Sequence, residues 1–156
     1  MRHDIGKMAV PIEILVKPGT ISRLESMMIQ THPGAGWEFL NKIDFPWPIA
    51  EITLQHHERL DGSGYPNGLT GSDILPESRI VAVADVVESM MFHRPYRASR
   101  GLESALAEIS ANKGRLYDAD VVDICVRLFR EKRFSFESLT GPHFSKNTEA
   151  PTQDSK

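Results

Sequence analysis

The run Ile80-Val81-Ala82-Val83-Ala84-Asp85-Val86-Val87 constrains the fold more than any other stretch of this chain. It is apolar almost all round, and a helix of that kind belongs in a protein interior. The run is far too short to span a bilayer, so the interior must be that of a protein core. One carboxylate, Asp85, stands in its middle. A buried carboxylate without a partner is costly and tends to take up a proton. Two solutions are open: a salt bridge inside the fold, or a metal ion that neutralises Asp85 within rigid packing.

The surroundings of this run are helical. Alternating strand patterns are scarce, and 156 residues suffice for one core, so the chain reads as a single all-α domain. Ser22 followed by Glu25 forms a capping-box pattern, opening a helix over about Arg23–Gln30. Pro33 and Gly34 read as its interruption. Trp37, Phe39, Leu40 and Ile43 suggest a second short helix, stopped by Pro46 and Pro48. A third spans about Pro48–His57, with Pro48 suited to a first turn. The turn-rich segment Asp61–Pro76 follows, then a strong helix over about Glu77–Phe92. Another covers about Gly101–Lys113 and ends at Gly114. Asp118 is placed to N-cap a last helix reaching about Lys132. The domain is expected to occupy residues 1–140, with 141–156 a polar, disordered tail.

Four histidines stand in polar punctuation beside helix ends: His3, His32, His56 and His57. His3 is followed by Asp4, and the His56-His57 pair by Glu58. Neutral imidazole together with carboxylate suits Fe, Mn, Zn or Ni. A single such histidine is more often a surface or capping residue. The adjacent pair is more telling, because helix neighbours point about 100° apart. Both can serve one site only if it lies between them or caps the helix end, which suits a cluster of metals. Lys7 lies one turn after Asp4. It is either a solvated surface lysine or a cation able to contact a phosphoryl oxygen and protonate a leaving oxygen. The loop Asp61-Gly62-Ser63-Gly64-Tyr65-Pro66-Asn67-Gly68 is a long turn, and its glycines also permit close backbone approach to a ligand. Arg94-Pro95-Tyr96-Arg97 puts two fork-shaped guanidiniums beside an aromatic ring, just after the Asp85 helix.

Several function classes are disfavoured. The net charge is −3 and no basic stripe is visible, so duplex nucleic acid is not an expected partner. A small phosphate ligand remains compatible if metal ions supply local positive charge. No basic-then-apolar signal segment opens the chain, and a cytoplasmic location without membrane association is expected. There is no Gly-x-Ser-x-Gly string. The single cysteine, Cys125, lies among apolar residues and is expected to be buried packing rather than a nucleophile.

Taken together, the strings resemble the HD-GYP family, a branch of the HD phosphohydrolases. The carrying motifs are His3-Asp4-Ile5-Gly6-Lys7, Thr31-His32-Pro33, and His56-His57-Glu58-Arg59-Leu60-Asp61-Gly62-Ser63-Gly64-Tyr65-Pro66. They continue with Ile80-Val81-Ala82-Val83-Ala84-Asp85, Arg94-Pro95-Tyr96-Arg97 and Gly114 through Asp118. The resemblance covers about Arg2–Phe129. It implies a helical HD-domain bundle around a buried metal centre with two divalent ions, iron or manganese. It implies hydrolysis of cyclic di-GMP to linear pGpG, GMP or both. His3, Asp4, His32, His56, His57 and Asp85 correspond to metal ligands, with Asp4 bridging. Asp4 and Lys7 correspond to catalytic positions, Lys7 as the phosphate contact. Tyr65, Arg94 and Arg97 correspond to substrate-binding positions. The Gly64-Tyr65-Pro66 segment is associated with contacts to diguanylate cyclase (GGDEF) domains.

The family's His-Asp doublet normally follows several helices, whereas here it begins at residue 3. The expectation is therefore a domain whose first helices are missing, with one core face exposed and a metal centre more open to water. A third ion is not expected. Two other readings stay open: a catalytically impaired fragment acting as an interaction module, and an HD phosphohydrolase for another cyclic dinucleotide.

Overall fold

The computed structural model describes residues 3–92, 100–131 and 134. Arg94, Arg97 and the expected tail at 141–156 lie outside the described residues. Among those described there is no strand, and seven α-helices succeed one another: α1 (Ile12–Leu15), α2 (Arg23–Ile29), α3 (His32–Leu40), α4 (Ile49–Gln55), α5 (Pro76–Met91), α6 (Gly101–Ala111) and α7 (Ala119–Arg130). Two short 3-10 helices, Ile5–Ala9 and Gly71–Asp73, precede α1 and α5. No helix is long and apolar enough to cross a membrane among the described residues.

The expected capping box is present. Ser22 Oγ accepts from Glu25 N while the Glu25 side chain accepts from Ser22 N. Lys17 Nζ lies 2.8 Å from both Glu25 oxygens; with the Ser22 contacts it holds the half-buried Glu25 carboxyl down at about 2. Asp118 caps α7 by accepting from the N–H groups of Asp120 and Val121. Pro33 and Gly34 do not interrupt a helix as expected. They form the first turn of α3, where a missing N–H costs nothing. Pro48 caps α4 rather than entering it.

The first half of the fold is a backbone-to-backbone stack. A Cβ added at Gly6 would collide with the His32 carbonyl oxygen and lie 2.5 Å from Gly36 N. One at Gly36 would meet Thr53 Cγ2 at 2.7 Å. Glycine at these two positions lets the first 3-10 helix, α3 and α4 approach more closely than side chains allow. The second half is a conventional apolar core. Val83, Val87 and Met90 of α5 pack with Ala105, Leu106 and Ile109 of α6, and with Tyr117 and Val122. Each large aliphatic side chain buried there contributes about 1.5–3 kcal/mol.

The halves are joined by α5 and the loop before it. Gln55 Oε1 accepts from Leu75 N at 2.8 Å. Arg79 donates to the carbonyls of Ile74 and Gly71 and, at 3.1 Å, to Asp118 Oδ2. The expectation that α5 is buried all round is corrected. Ser78, Ala82, Val83, Val87 and Met90 are buried, but Ile80 is 54% exposed and Ala84 is exposed. That second face lines an apolar groove of about 390 Å³ with Val81, Leu128, Phe129 and Phe134. Cys125 lines the same groove and is half-buried, not part of the sealed core; burial pushes its thiol up.

Candidate metal centre

The stack of the first 3-10 helix on α3 brings Asp4 to His32, and the end of α4 adds His56 and His57. Two histidines are aimed by backbone. His32 Nδ1 lies 2.7 Å from the Ile29 carbonyl, and His56 Nδ1 lies 2.6 Å from that of Thr53. A carbonyl only accepts, so the proton of each neutral ring sits on Nδ1 and the lone pair on Nε2. These two Nε2 atoms face each other at 3.3 Å, with His32 only 1% exposed and His56 wholly buried. Bare lone pairs at that distance repel. A proton between them would require a buried imidazolium, whereas a cation would satisfy both. Two nitrogens about 2.1 Å from a common ion are separated by roughly 3–3.4 Å.

Asp4 Oδ1 points into the same space, 3.3 Å from His32 Nε2 and 3.9 Å from His56 Nε2. It is buried and has no well-aligned hydrogen bond. One ligand atom each from Asp4, His32, His56 and His57 lies within 4.8 Å of the others. A second group, His3, Asp4 and Asp85, meets the same criterion. Here His3 Nε2 is 3.3 Å from Asp85 Oδ1 and 3.8 Å from Asp4 Oδ2. Asp4 therefore presents one oxygen to each group. Lys7 Nζ donates to Asp4 Oδ2.

The electrostatics keep Asp4 and Asp85 ionised and set His3 apart from His56 and His57. Burial acts to raise Asp4, but its contacts with His32 and Lys7 outweigh this and hold it far below the usual carboxylate range. Burial likewise opposes ionisation of Asp85, and the His3 contact overcomes it; the net direction is down. Burial lowers His56 to about 4 and pushes His57 down as well, assisted by positive neighbours. His3 is raised, chiefly by its bond to Asp85. The donor set of imidazole nitrogens and carboxylate oxygens, with an orphaned Asp4 oxygen at its centre, fits a divalent transition metal.

The structure thus brings together His3, Asp4, Lys7, His32, His56, His57 and Asp85. Tyr65 joins them: its ring stacks on His57, with centroids 4.7 Å apart and planes 25° apart. Burial pushes its phenol up to about 12, so it stays neutral at ordinary pH. Asp85 pairs with His3 at 3.3 Å, and the same carboxylate stands with His3 and Asp4 in a group of ligand-type atoms. Sequence reasoning missed Glu58. This residue, 2% exposed, turns away from the histidines and accepts from the backbone N–H groups of Asn67 at 2.7 Å and Leu69 at 3.0 Å. Its signal was available: a glycine-rich loop leaves backbone donors that need acceptors.

A family model described as HD domain matches residues 1–121. Over 127 residues the chain is 45% identical to the cyclic di-GMP phosphodiesterase response regulator RpfG of Xanthomonas campestris, covering 80% of this chain and 34% of that one. It is 43% identical over 129 residues to 3'3'-cGAMP-specific phosphodiesterase 1 of Vibrio cholerae, covering 80% and 29%. The chain spans about a third of the length of these relatives. Among solved structures, Bd1817, an HDG"Y"P protein from Bdellovibrio bacteriovorus, shares the fold. Its TM-score is 0.65 at 18% identity, covering 82% of this chain and 40% of the other.

Proposed function

The chain belongs to the HD domain family, and on that premise we propose that it is a metal-dependent phosphodiesterase domain acting on cyclic di-GMP. The observation that carries this reading is Asp4, whose two oxygens face two separate ligand groups. Asp4, His32, His56 and His57 would hold one divalent ion; His3, Asp4 and Asp85 would hold the other. A pair of such ions supplies Lewis-acid polarisation of a phosphoryl oxygen and activation of the attacking water. Iron or manganese is the proposed metal.

The remaining roles belong to this chain's own side chains. Lys7, held beside Asp4, provides a cation for a phosphoryl oxygen and a proton for the leaving oxygen. Neutral Tyr65 offers a hydroxyl at the edge of the site. Arg94 and Arg97, which follow α5 in sequence, are assigned to guanine or phosphate through bidentate and stacking contacts. The Gly64-Tyr65-Pro66 segment, of which Pro66 is exposed, is assigned to contact with a diguanylate cyclase domain.

The test is direct. The protein is purified anaerobically with Fe(II) or Mn(II), its metal content is measured, and cyclic di-GMP is followed by chromatography. Two ions per chain with pGpG or GMP as product support the reading; intact cyclic di-GMP with a loaded centre overturns it. The relative named as specific for 3'3'-cGAMP favours a second substrate, so the hybrid dinucleotide is assayed in parallel.

A further inference from the structure

His32 and His56 are each oriented by a backbone carbonyl. His57 is held differently. No hydrogen bond to its ring is present among the described residues, and the ring is fixed by aromatic neighbours. His56 lies 4.1 Å away centroid to centroid, His32 stands edge-on at 5.0 Å, and Tyr65 covers its outer face at 4.7 Å. The first two are members of the same ligand group. Among the described residues, Tyr65 is the one flat surface outside the ligand groups that stacks on His57.

The position of Tyr65 depends on how the loop is hung. Tyr65 N donates to the His57 carbonyl at 3.3 Å. A Cβ at Gly64 would lie 2.5 Å from Glu58 Cα, Arg59 N and the His57 carbonyl oxygen, so the loop is folded hard against residues 57–59. Glu58 anchors the far side, each of its oxygens taking one loop N–H. A buried carboxylate with two backbone donors is a strong, charge-assisted clamp. Removing it strands two N–H groups. Arg59 ties the start of the clamp by donating to the Glu58 carbonyl at 2.8 Å.

We propose that Glu58 and Tyr65 are positioning residues for His57: Glu58 fixes the loop, the loop lays the Tyr65 ring on His57, and the stack sets the angle at which that imidazole faces the ligand group. This rests on the reading of His57 as a metal ligand. Groups that orient a metal-binding imidazole typically change metal affinity about 10–100-fold when removed. Here the orienting group is a ring face, so the hydroxyl of Tyr65 is not needed for it.

The experiment uses the full chain and Co(II) as the probe, titrated without substrate and read by visible absorption. Tyr65→Leu, which removes the ring face, is expected to weaken Co(II) binding at least about tenfold and to alter the absorption envelope. Tyr65→Phe, which keeps the ring, is expected to bind as the unmodified chain does. Glu58→Gln should shift affinity in the same direction as Tyr65→Leu, and the double variant should be no weaker than Tyr65→Leu alone, because one pathway is being cut twice. Should Glu58→Gln not fold, as judged by circular dichroism, the Tyr65 pair decides. Unchanged Co(II) affinity in Tyr65→Leu, or a Phe variant as weak as the Leu one, overturns the proposal while leaving the metal reading intact. Absence of Co(II) binding by the unmodified chain overturns both.

Discussion

Asp4 and Asp85 are both carboxylates kept ionised against burial, yet they occupy unequal positions. Asp4 faces two ligand groups and Asp85 faces one. Asp4→Asn is therefore expected to cost metal at both groups, whereas Asp85→Ala should lose only the ion of the His3 group. Elemental analysis of the purified variants checks this: a fully loaded Asp85→Ala protein would remove Asp85 from the ligand set. Arg94→Ala tests a different link. Metal content is expected to stay unchanged while KM for cyclic di-GMP rises by about tenfold or more, the loss of one bidentate contact to a charged group. An unchanged KM would take Arg94 out of the substrate site. A lone His or Asp in polar punctuation is more often a cap or turn residue; the metal groups were legible in the sequence through the adjacent His56-His57 pair, the His3-Asp4 doublet and a carboxylate inside an apolar run. The use of Glu58 was not, since it stands in the same string as His56 and His57. Only the direction of its side chain, toward Asn67 and Leu69, tells an anchor from a ligand.

Two helix starts were readable because their signals are local, whereas the start of α3 at Pro33 was read as a break. Ser22 with Glu25, and Asp118, name their own partners within three residues. Asp118 also carries a pH consequence. Burial opposes its ionisation, but the Val121 N–H, Arg79 and the Asp120 N–H outweigh it and lower the carboxyl. A lowered folded-state value contributes stability above the unfolded value near 4, and that contribution is lost as pH falls through the lowered value. Asp118→Asn keeps a cap but not the charge, so its thermal unfolding should differ from the unmodified chain at pH 7 and converge with it as pH falls below about 4. A gap that does not narrow as pH falls would assign the effect to something other than ionisation. The close stack of the first 3-10 helix, α3 and α4 was not readable, because Gly6 and Gly36 are ordinary glycines until their distant neighbours are known. Gly6→Ala is expected to destabilise the fold by about 1–3 kcal/mol, the range for overpacking, and to separate Asp4 from His32. A calorimetric melt superimposable on that of the unmodified chain would exclude that contact as a constraint.

At the scale of the molecule, α5 belongs to both halves. Val83 and Val87 enter the apolar core, while Asp85 reaches the His3 group. The all-α architecture was evident from periodicity. The exposure of Ile80 and Ala84 was not, since a run apolar on every side carries no information about which side a partner covers. Because the ligand groups draw on the N-terminal segment, α3, the end of α4 and α5, bound metal should tighten the whole fold. An ion at about 100 times its dissociation constant adds about 2.7 kcal/mol. Mn(II) is accordingly expected to raise the unfolding temperature and a chelator to lower it. Equal melting temperatures with and without Mn(II) would deny metal any part in holding these elements together.

The sharing of Asp4 has a thermodynamic consequence of its own. Two ligands that compete for, or jointly order, a single carboxylate cannot bind independently. Whatever factor occupancy of the His3 group imposes on the affinity of the histidine-rich group must be returned unchanged in the other direction. If the two groups each take an ion as proposed, metal uptake should follow a coupled isotherm and not the sum of two hyperbolas, with Asp4 as the residue that would carry the coupling free energy.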